Sequence, residues 1–292
     1  MIVFSIITAF YKGNQYLENL FEVAKKNAET LKEKKIDARV ELVIVNDSPG
    51  YEIVLPEKKQ LFELKIIEHD LNSGIHQARI TGLLNCSGNY IVFLDQDDLL
   101  EDDCLYCEYE IIGDNDVVIA NAYIEQKDGT NKILYKNRGQ FDNALFLEPY
   151  VKAHNQITSP GHCLIKRTAI PDEWCKYIMK SNGSDDLFLW ILMLSMGKKF
   201  CVCEKILYTH KYTGANLSAE EIKMASSSLE LVEYLKEINY ISKKTINNFI
   251  RSREQKIVFS KCNILEKIII VIKNFDIYIP RLYWKLCEIL KK

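Results

Sequence analysis

The first ten residues set the pattern. The run IVFSIITAF (residues 2–10) is rich in β-branched residues with almost no polar interruption, as expected of a strand covered on both faces. The period then changes. Leu17, Leu20, Phe21, Ala24 and Ala28 recur at helical spacing within NQYLENLFEVAKKNAETLKEKK. RVELVIVND predicts a second strand, LKIIEHD a third and NYIVFLD a fourth. Between the last two, GIHQARITGLLNC predicts a helix with Ile75, Ala78, Leu83 and Leu84 on or near one face. Strands separated by helix-length segments predict a mostly parallel sheet with helices on both faces. In such sheets the ligand lies beyond the carboxyl ends of the strands. Thr8, Asp47 and the Asp95 group all fall at such ends.

The second half changes character. DVVIANAYIEQKDGTNKILYK predicts a strand and a hairpin whose turn holds Asp128-Gly129. GHCLIKR is a further short strand. SDDLFLWILMLSMGKKF is an apolar helix stopped by Gly197, followed by two strands, FCVCE and KILYTHKY. From residue 219 the pattern is helical to the end, with Pro280 dividing two helices. No internal repeat, Gly/Ser linker or low-complexity segment interrupts the chain.

Composition narrows the class. With 48% hydrophobic and 11% aromatic residues over 292 positions, the chain is globular rather than disordered. A formal net charge of −2 gives no field that would draw nucleic acid. MIVFSIITAF carries no basic segment or cleavage site, so the nine cysteines are expected as reduced thiols. Cys104 and Cys107 have C-x-x-C spacing, but no second pair follows at zinc-ribbon distance; Cys201 and Cys203 alternate along a strand. All four read as small, partly buried apolar side chains. No stretch reaches the ~20 apolar residues of a membrane span.

The most unusual local feature is YIVFLDQDDLLEDD (residues 90–103). Asp95, Asp97, Asp98, Glu101, Asp102 and Asp103 repel one another directly after a buried strand. Hard oxygen ligands of this kind suit Mg²⁺ or Mn²⁺, which keep positions open for substrate phosphates. Residues i and i+2 of an extended chain point the same way, so Asp95 and Asp97 can serve one ligand together. The D-x-D string alone is weak, and a solvated acidic loop is the alternative. An EF-hand does not fit, because Leu100 stands where that loop requires Gly.

Context adds to this. FSIITAFYKGNQYLENLFEVA, ELVIVNDSPG and NSGIHQARITGLLNCSGNYIVFLDQDD resemble, in order, the opening segments of the inverting GT-A glycosyltransferases of family 2. Asn72, Gly74, Ala78, Arg79, Gly82 and Gly88 precede the D-x-D at that family's spacing, and the resemblance covers residues 2–218. It implies an α/β fold: a GT-A, Rossmann-like α/β/α sandwich with a mostly parallel sheet and a helical C-terminal extension. Residues 1–218 would be the catalytic domain (1–100 the nucleotide-binding half, 101–218 the acceptor-binding half), and 219–292 the extension. Carried over by position, Thr8 and Phe10 line the base and ribose pocket, and Asp47 hydrogen-bonds the base or ribose. An Asx-turn before Ser48-Pro49 is the other reading of Asp47. Arg79 faces the nucleotide, its alternative being a helix-surface arginine. Asp95 contacts ribose or sugar, and Asp97 ligates Mn²⁺ or Mg²⁺ with Asp98 close by.

Inverting transfer also needs a carboxylate to take the acceptor hydroxyl's proton. The resemblance points to Asp185-Asp186 in NGSDDLFLW, after Ser184 as N-cap. Asp186 is the favoured base, and Asp185 is the alternative base or an acceptor ligand. Aspartates there would also simply favour the helix N-terminus. ITSPGHCLIKR resembles the strand beside the acceptor, which implicates Ser159, Gly161 and His162. LYTHKYTGANLS resembles a loop over the diphosphate, with His210 or Lys211 as metal ligand or phosphate clamp.

The expected partners are a UDP-sugar and a saccharide or glycolipid acceptor. The expected setting is the cytoplasm, with the basic, apolar C-terminal helices resting on the inner face of the membrane. A packed helical cap or a homodimer contact is the other reading of those helices. Two further functions compete: a catalytically inactive saccharide-binding or scaffolding relative, and a sugar nucleotidyltransferase. The latter lacks its Gly-rich basic loop here, since TAFYKGNQ offers only Lys12 and Gly13.

Overall fold

The computed structural model describes residues 1–57, 61–214 and 221–290. Its contacts divide the chain into two compact units, one of residues 1–134, 159–170 and 198–215, the other of residues 135–158, 171–197 and 216–292. The domain boundary expected at 218–219 lies outside the described residues.

The first unit is α/β. In chain order it holds β1 (Ile2–Phe10), α1 (Leu17–Glu33), β2 (Ala38–Asn46), β3 (Glu63–Glu68), α2 (Ile75–Asn85), β4 (Tyr90–Phe93), β5 (Leu99–Leu100), α3 (Cys104–Ile112), β6 (Val117–Glu125), β7 (Asn131–Ile133), β8 (Cys163–Lys166) and β9 (Phe200–His210). The strands form one sheet in the order β3-β2-β1-β4-β8-β6-β9-β5, with β7 hydrogen-bonded to β6. The long pairings, β1 with β2 and β4, β2 with β3, and β6 with β9, are parallel. β8 enters antiparallel between β4 and β6.

The apolar runs explain this arrangement. Phe4, Ile6 and Ile7 of β1 and Leu42–Val45 of β2 are entirely buried, as central strands covered on both faces must be. Helix α1 turns Leu17, Leu20, Phe21, Ala24 and Leu31 onto this core. Helix α2 comes so close to the sheet that a Cβ on Gly82 would lie 2.3 Å from Ile7 Cγ2. The buried Asn27 ties α1 to the acidic stretch. Its amide nitrogen donates to the Glu101 carbonyl at 3.1 Å, and its oxygen accepts the Leu105 N–H at 2.9 Å.

The second unit is helical: α4 (Arg138–Ala144), α5 (Leu147–Lys152), α6 (Asp172–Lys176), α7 (Asp185–Ser195), α8 (Glu221–Ser228), α9 (Leu231–Glu237), α10 (Lys243–Phe259), α11 (Ile264–Lys273) and α12 (Phe275–Leu290). Two arginines bonded to backbone carbonyls help to hold it. Arg253 of α10 donates to the carbonyls of Tyr150, Val151 and Ala153 at the end of α5. Arg281 of α12 donates to the neighbouring Lys152 carbonyl at 2.5 Å. Burial, reinforced by the charge of Arg281, pulls the Arg253 guanidinium down to about 9.

Two sequence expectations are corrected. FCVCE and KILYTHKY form the single strand β9, whose register against β6 shifts around Asn121; the exposed Glu204-Lys205 pair marks that irregularity rather than a turn. Pro280 does not divide two helices. It lies inside α12, and the break falls at Asn274, whose backbone leaves the helical region at φ −126°, ψ 36°. Proline removes only its own N–H bond, and the flanking turns continue on the packing of α12 against α4 and α5.

Candidate functional site

The polar strand ends of the α/β unit form one connected constellation. Asp47, just beyond β2, is 5% exposed and its carboxylate is fully engaged. Oδ1 accepts the Ser73 N–H at 2.7 Å and His69 Nδ1–H at 2.9 Å; Oδ2 accepts the Gly74 N–H at 2.8 Å. The carboxylate thereby fixes the turn into α2, where Gly74 has a φ of +85° that side chains other than glycine rarely adopt. The Asx-type turn forms one residue earlier, with Asn46 Oδ1 accepting the Ser48 N–H at 3.1 Å.

From the first turns of α2, the buried Arg79 reaches Asp95 Oδ1 at 2.5 Å. Asp95 Oδ2 lies 3.4 Å from Ser159 Oγ. Ser159 also caps the short 3-10 turn Pro160–His162 by accepting the Gly161 N–H at 3.2 Å. Arg79, Asp95 and Ser159, far apart in sequence, thus meet at the end of β4.

Asp97 and Asp98 differ although they are adjacent. Asp98 is 1% exposed. It accepts the Tyr208 hydroxyl, His210 Nδ1–H at 3.1 Å and the Lys211 N–H at 2.8 Å. Burial opposes the imidazolium of His210, yet the bonded Asp98 carboxylate carries its pKa above the usual histidine value. Strand β5 supplies the register for this contact by pairing Leu99 and Leu100 with Thr209 and Tyr208. Asp97 stays half-buried, pushed up to about 6 by burial and then by the charges of Asp98 and Asp95. Lys211 turns its ammonium onto Glu125.

Among the described residues no group of three or more His, Cys, Asp or Glu side chains forms a ready cage for a metal ion. A Mg²⁺ or Mn²⁺ site completed by substrate phosphates requires only one or two protein carboxylates. The residues present fit such a site: Asp97 carries crowded negative charge, and the His210 imidazole stands beside Asp98.

Three expected positions are wholly buried. Thr8 and Phe10 are wholly buried, Phe10 against Tyr51, and Thr8 Oγ1 has no hydrogen-bond partner among the described residues. His162 is also wholly buried; its Nδ1 donates to the Ala120 carbonyl at 2.8 Å, and burial lowers its pKa to about 4, which keeps it neutral. Gly161 gives Tyr208 room, since a Cβ there would come within 2.7 Å of the ring.

Sequence reasoning passed over Gln96, the spacer of the D-x-D. Gln96 Oε1 accepts the Tyr11 N–H at 2.9 Å and Nε2 donates to the Tyr11 carbonyl at 3.2 Å, which locks the acidic turn to the loop after β1. Lys12 in that loop has a φ of +47°, and its N–H donates to Ser48 Oγ at 2.8 Å. Non-glycine residues in that region are uncommon and cluster at functional loops. Tyr208 was missed as well; only its position two residues before His210 on a strand hints that both face Asp98.

In the helical unit, Asp185 and Asp186 open α7 and are 2% and 8% exposed. Asp186 Oδ2 accepts Asn155 Nδ2–H at 2.7 Å, and Oδ1 accepts the Leu187 N–H at 2.7 Å. The Asp185 carbonyl accepts the Trp174 indole N–H at 2.8 Å. Ser184 occupies the N-cap position without a capping side-chain bond. Asn155, another residue the sequence did not single out, orients Asp186.

Comparison with known proteins agrees with the fold. The profile of Glycosyl transferase family 2 matches residues 5–173. The minor teichoic acid biosynthesis protein GgaB of Bacillus subtilis (strain 168) is 24% identical over 266 residues, covering 87% of this chain and 27% of GgaB. The chain spans under half the length of the curated relatives it matches. Among solved structures, S. aureus TarS 1–349 in complex with UDP-GlcNAc superposes with a TM-score of 0.56 at 14% identity, over 87% of this chain and 73% of that one. The mannosyltransferase PcManGT of Pyrobaculum calidifontis, in complex with GDP-Man and Mn²⁺, gives a TM-score of 0.55 at 13% identity, over 98% and 83%.

Proposed function

Since the chain belongs to glycosyl transferase family 2, we propose that it transfers a sugar, with inversion, from a UDP-sugar to a saccharide or lipid-linked saccharide of a surface polymer. The observation that carries this reading is the Arg79–Asp95–Ser159 contact beside the half-buried, charge-crowded Asp97 at the strand ends. That is where an α/β sheet receives a nucleotide. Binding of UDP-GlcNAc by TarS supports the choice of donor, and GgaB's part in teichoic acid synthesis supports the choice of acceptor.

In this reaction the acceptor hydroxyl oxygen bonds to the anomeric carbon as the bond from that carbon to the diphosphate oxygen breaks. The electron pair leaves with UDP, and the hydroxyl proton passes to a carboxylate. Asp186 takes that proton, its orientation set by Asn155. Arg79 and Asp95 orient the nucleotide sugar. Asp97, with Asp98 and His210, would hold a divalent cation, which when bound offsets charge on the departing diphosphate. Thr8, Phe10 and Asp47 support the floor of the nucleotide site from within the sheet. Ser159 and Gly161 shape its acceptor side, with His162 buried behind them.

The test combines calorimetry and turnover. Asp97→Ala should abolish Mn²⁺-dependent UDP binding. Asp186→Ala should leave that binding intact and lower transfer by about 10²–10⁴-fold. Full turnover by both variants would overturn the assignment, and tighter binding of GDP than of UDP would overturn the donor.

A further inference from the structure

Helix α11 is apolar yet buries none of its residues. Ile264 and Leu265 are 76% and 73% exposed, and Ile268, Ile269 and Ile272 continue the same face at helical spacing. Helix α12 repeats the arrangement. Phe275, Ile279, Leu282, Leu286 and Ile289 are all exposed and fall on one stripe, while its opposite side packs on α4 and α5. A ten-residue helix is marginal in water alone, and an exposed apolar face of this size marks a contact surface.

The charges around the face identify what covers it. Lys267 and Lys273 fall on either flank of the α11 stripe, and Lys285 borders that of α12. Asp276, on the other border of α12, is neutralised by Arg251 at 2.7 Å. The acidic Glu266 is spent on the capping box at the start of α11. A second copy laid on this face would bring lysine borders toward lysine borders. An anionic lipid surface complements them, accepting the apolar stripe at the level of its acyl chains and the ammonium groups among its headgroups. No helix among the described residues is long and apolar enough to cross a membrane, so the contact lies in the plane of the surface.

We infer that α11 and α12 form an interfacial membrane-binding face, with isoleucine, leucine and phenylalanine inserted and the bordering lysines held by anionic lipid headgroups. This contact is independent of the transfer chemistry. It would hold the enzyme on the surface where a lipid-linked acceptor resides.

The experiment is co-sedimentation of the full chain with vesicles of phosphatidylcholine alone, or of phosphatidylcholine with an equal part of phosphatidylglycerol. Binding should need the phosphatidylglycerol and weaken in high salt. Lys273→Gln and Lys285→Gln should each weaken it about fivefold. Ile268→Glu with Ile272→Glu should abolish it, while unchanged melting confirms that the fold is intact. Three results would overturn the inference: no binding to phosphatidylglycerol vesicles, binding indifferent to these substitutions, or a dimer in solution that the double glutamate variant splits.

Discussion

Helices α7 (DDLFLWILMLS) and α11 (ILEKIIIVIK) are similar in length and apolar content, and both belong to the helical unit. In α7 every residue from Leu187 to Met193 is buried, whereas α11 buries none. The difference follows from where the charges stand. Those of α7 are confined to its first two residues, so the remaining surface is apolar all round and only an interior can accept it. Glu266, Lys267 and Lys273 are set into α11, which keeps one side polar, and its apolar side stays exposed among the described residues. Both helices also put charge to use. At the start of α7 it becomes a candidate base, and along the borders of α11 it flanks the inferred lipid-binding face.

The largest way to break this contrast is to empty the buried helix. Trp190→Ala should cost about 3–5 kcal/mol in urea unfolding, because the wholly buried indole leaves a cavity.

Placing an acid in a buried helix position, where α7 carries uncharged side chains, sharpens the comparison, and α3 does this with Glu108. Burial raises its carboxyl from 4.5 to about 8. Below pH 4.5 it is protonated in both folded and unfolded chains. Between there and about pH 8 only the unfolded chain releases the proton, so stability should fall by about 1.4 kcal/mol per pH unit. Glu108→Gln should remove that slope, checked by comparing urea unfolding of both proteins at several pH values across the window.

Gly139→Ala tests the packed side of α12, where the new Cβ would lie 2.5 Å from the Cys287 carbonyl oxygen. A loss of about 1–3 kcal/mol is expected, read as a lower urea midpoint. The smallest effect belongs to α11: Ile268→Ala should change stability by no more than about 0.5 kcal/mol in the same assay.

The sequence was informative wherever period and length agreed. β1 to β4, α1 and α2 stand where unbroken β-branched runs and helical spacing put them, and α7 ends before Gly197, which has a φ of +76°. It was silent on α4, α5 and α6, helices of five to seven residues that are too short to show a period. At the candidate site, the resemblance selected Arg79, Asp95, Asp97 and Asp98, and the fold brings these together. What could not be read was which carboxylate is already engaged. Asp47 and Asp98 find their partners 22 to 113 residues away, and only folding reveals that burial and the neighbouring Asp98 and Asp95 push Asp97 up to about 6.

The guanidinium brace on α5 carries one more implication. Arg253 and Arg281 grip the carbonyls of residues 150–153, and two positions further on Asn155 holds Asp186. Trimming the tail before α12 to gain solubility would therefore slacken the peptide that aims Asp186. Under the proposed mechanism, a shortened protein would bind donor normally and still turn over slowly, a fault easily mistaken for the wrong acceptor.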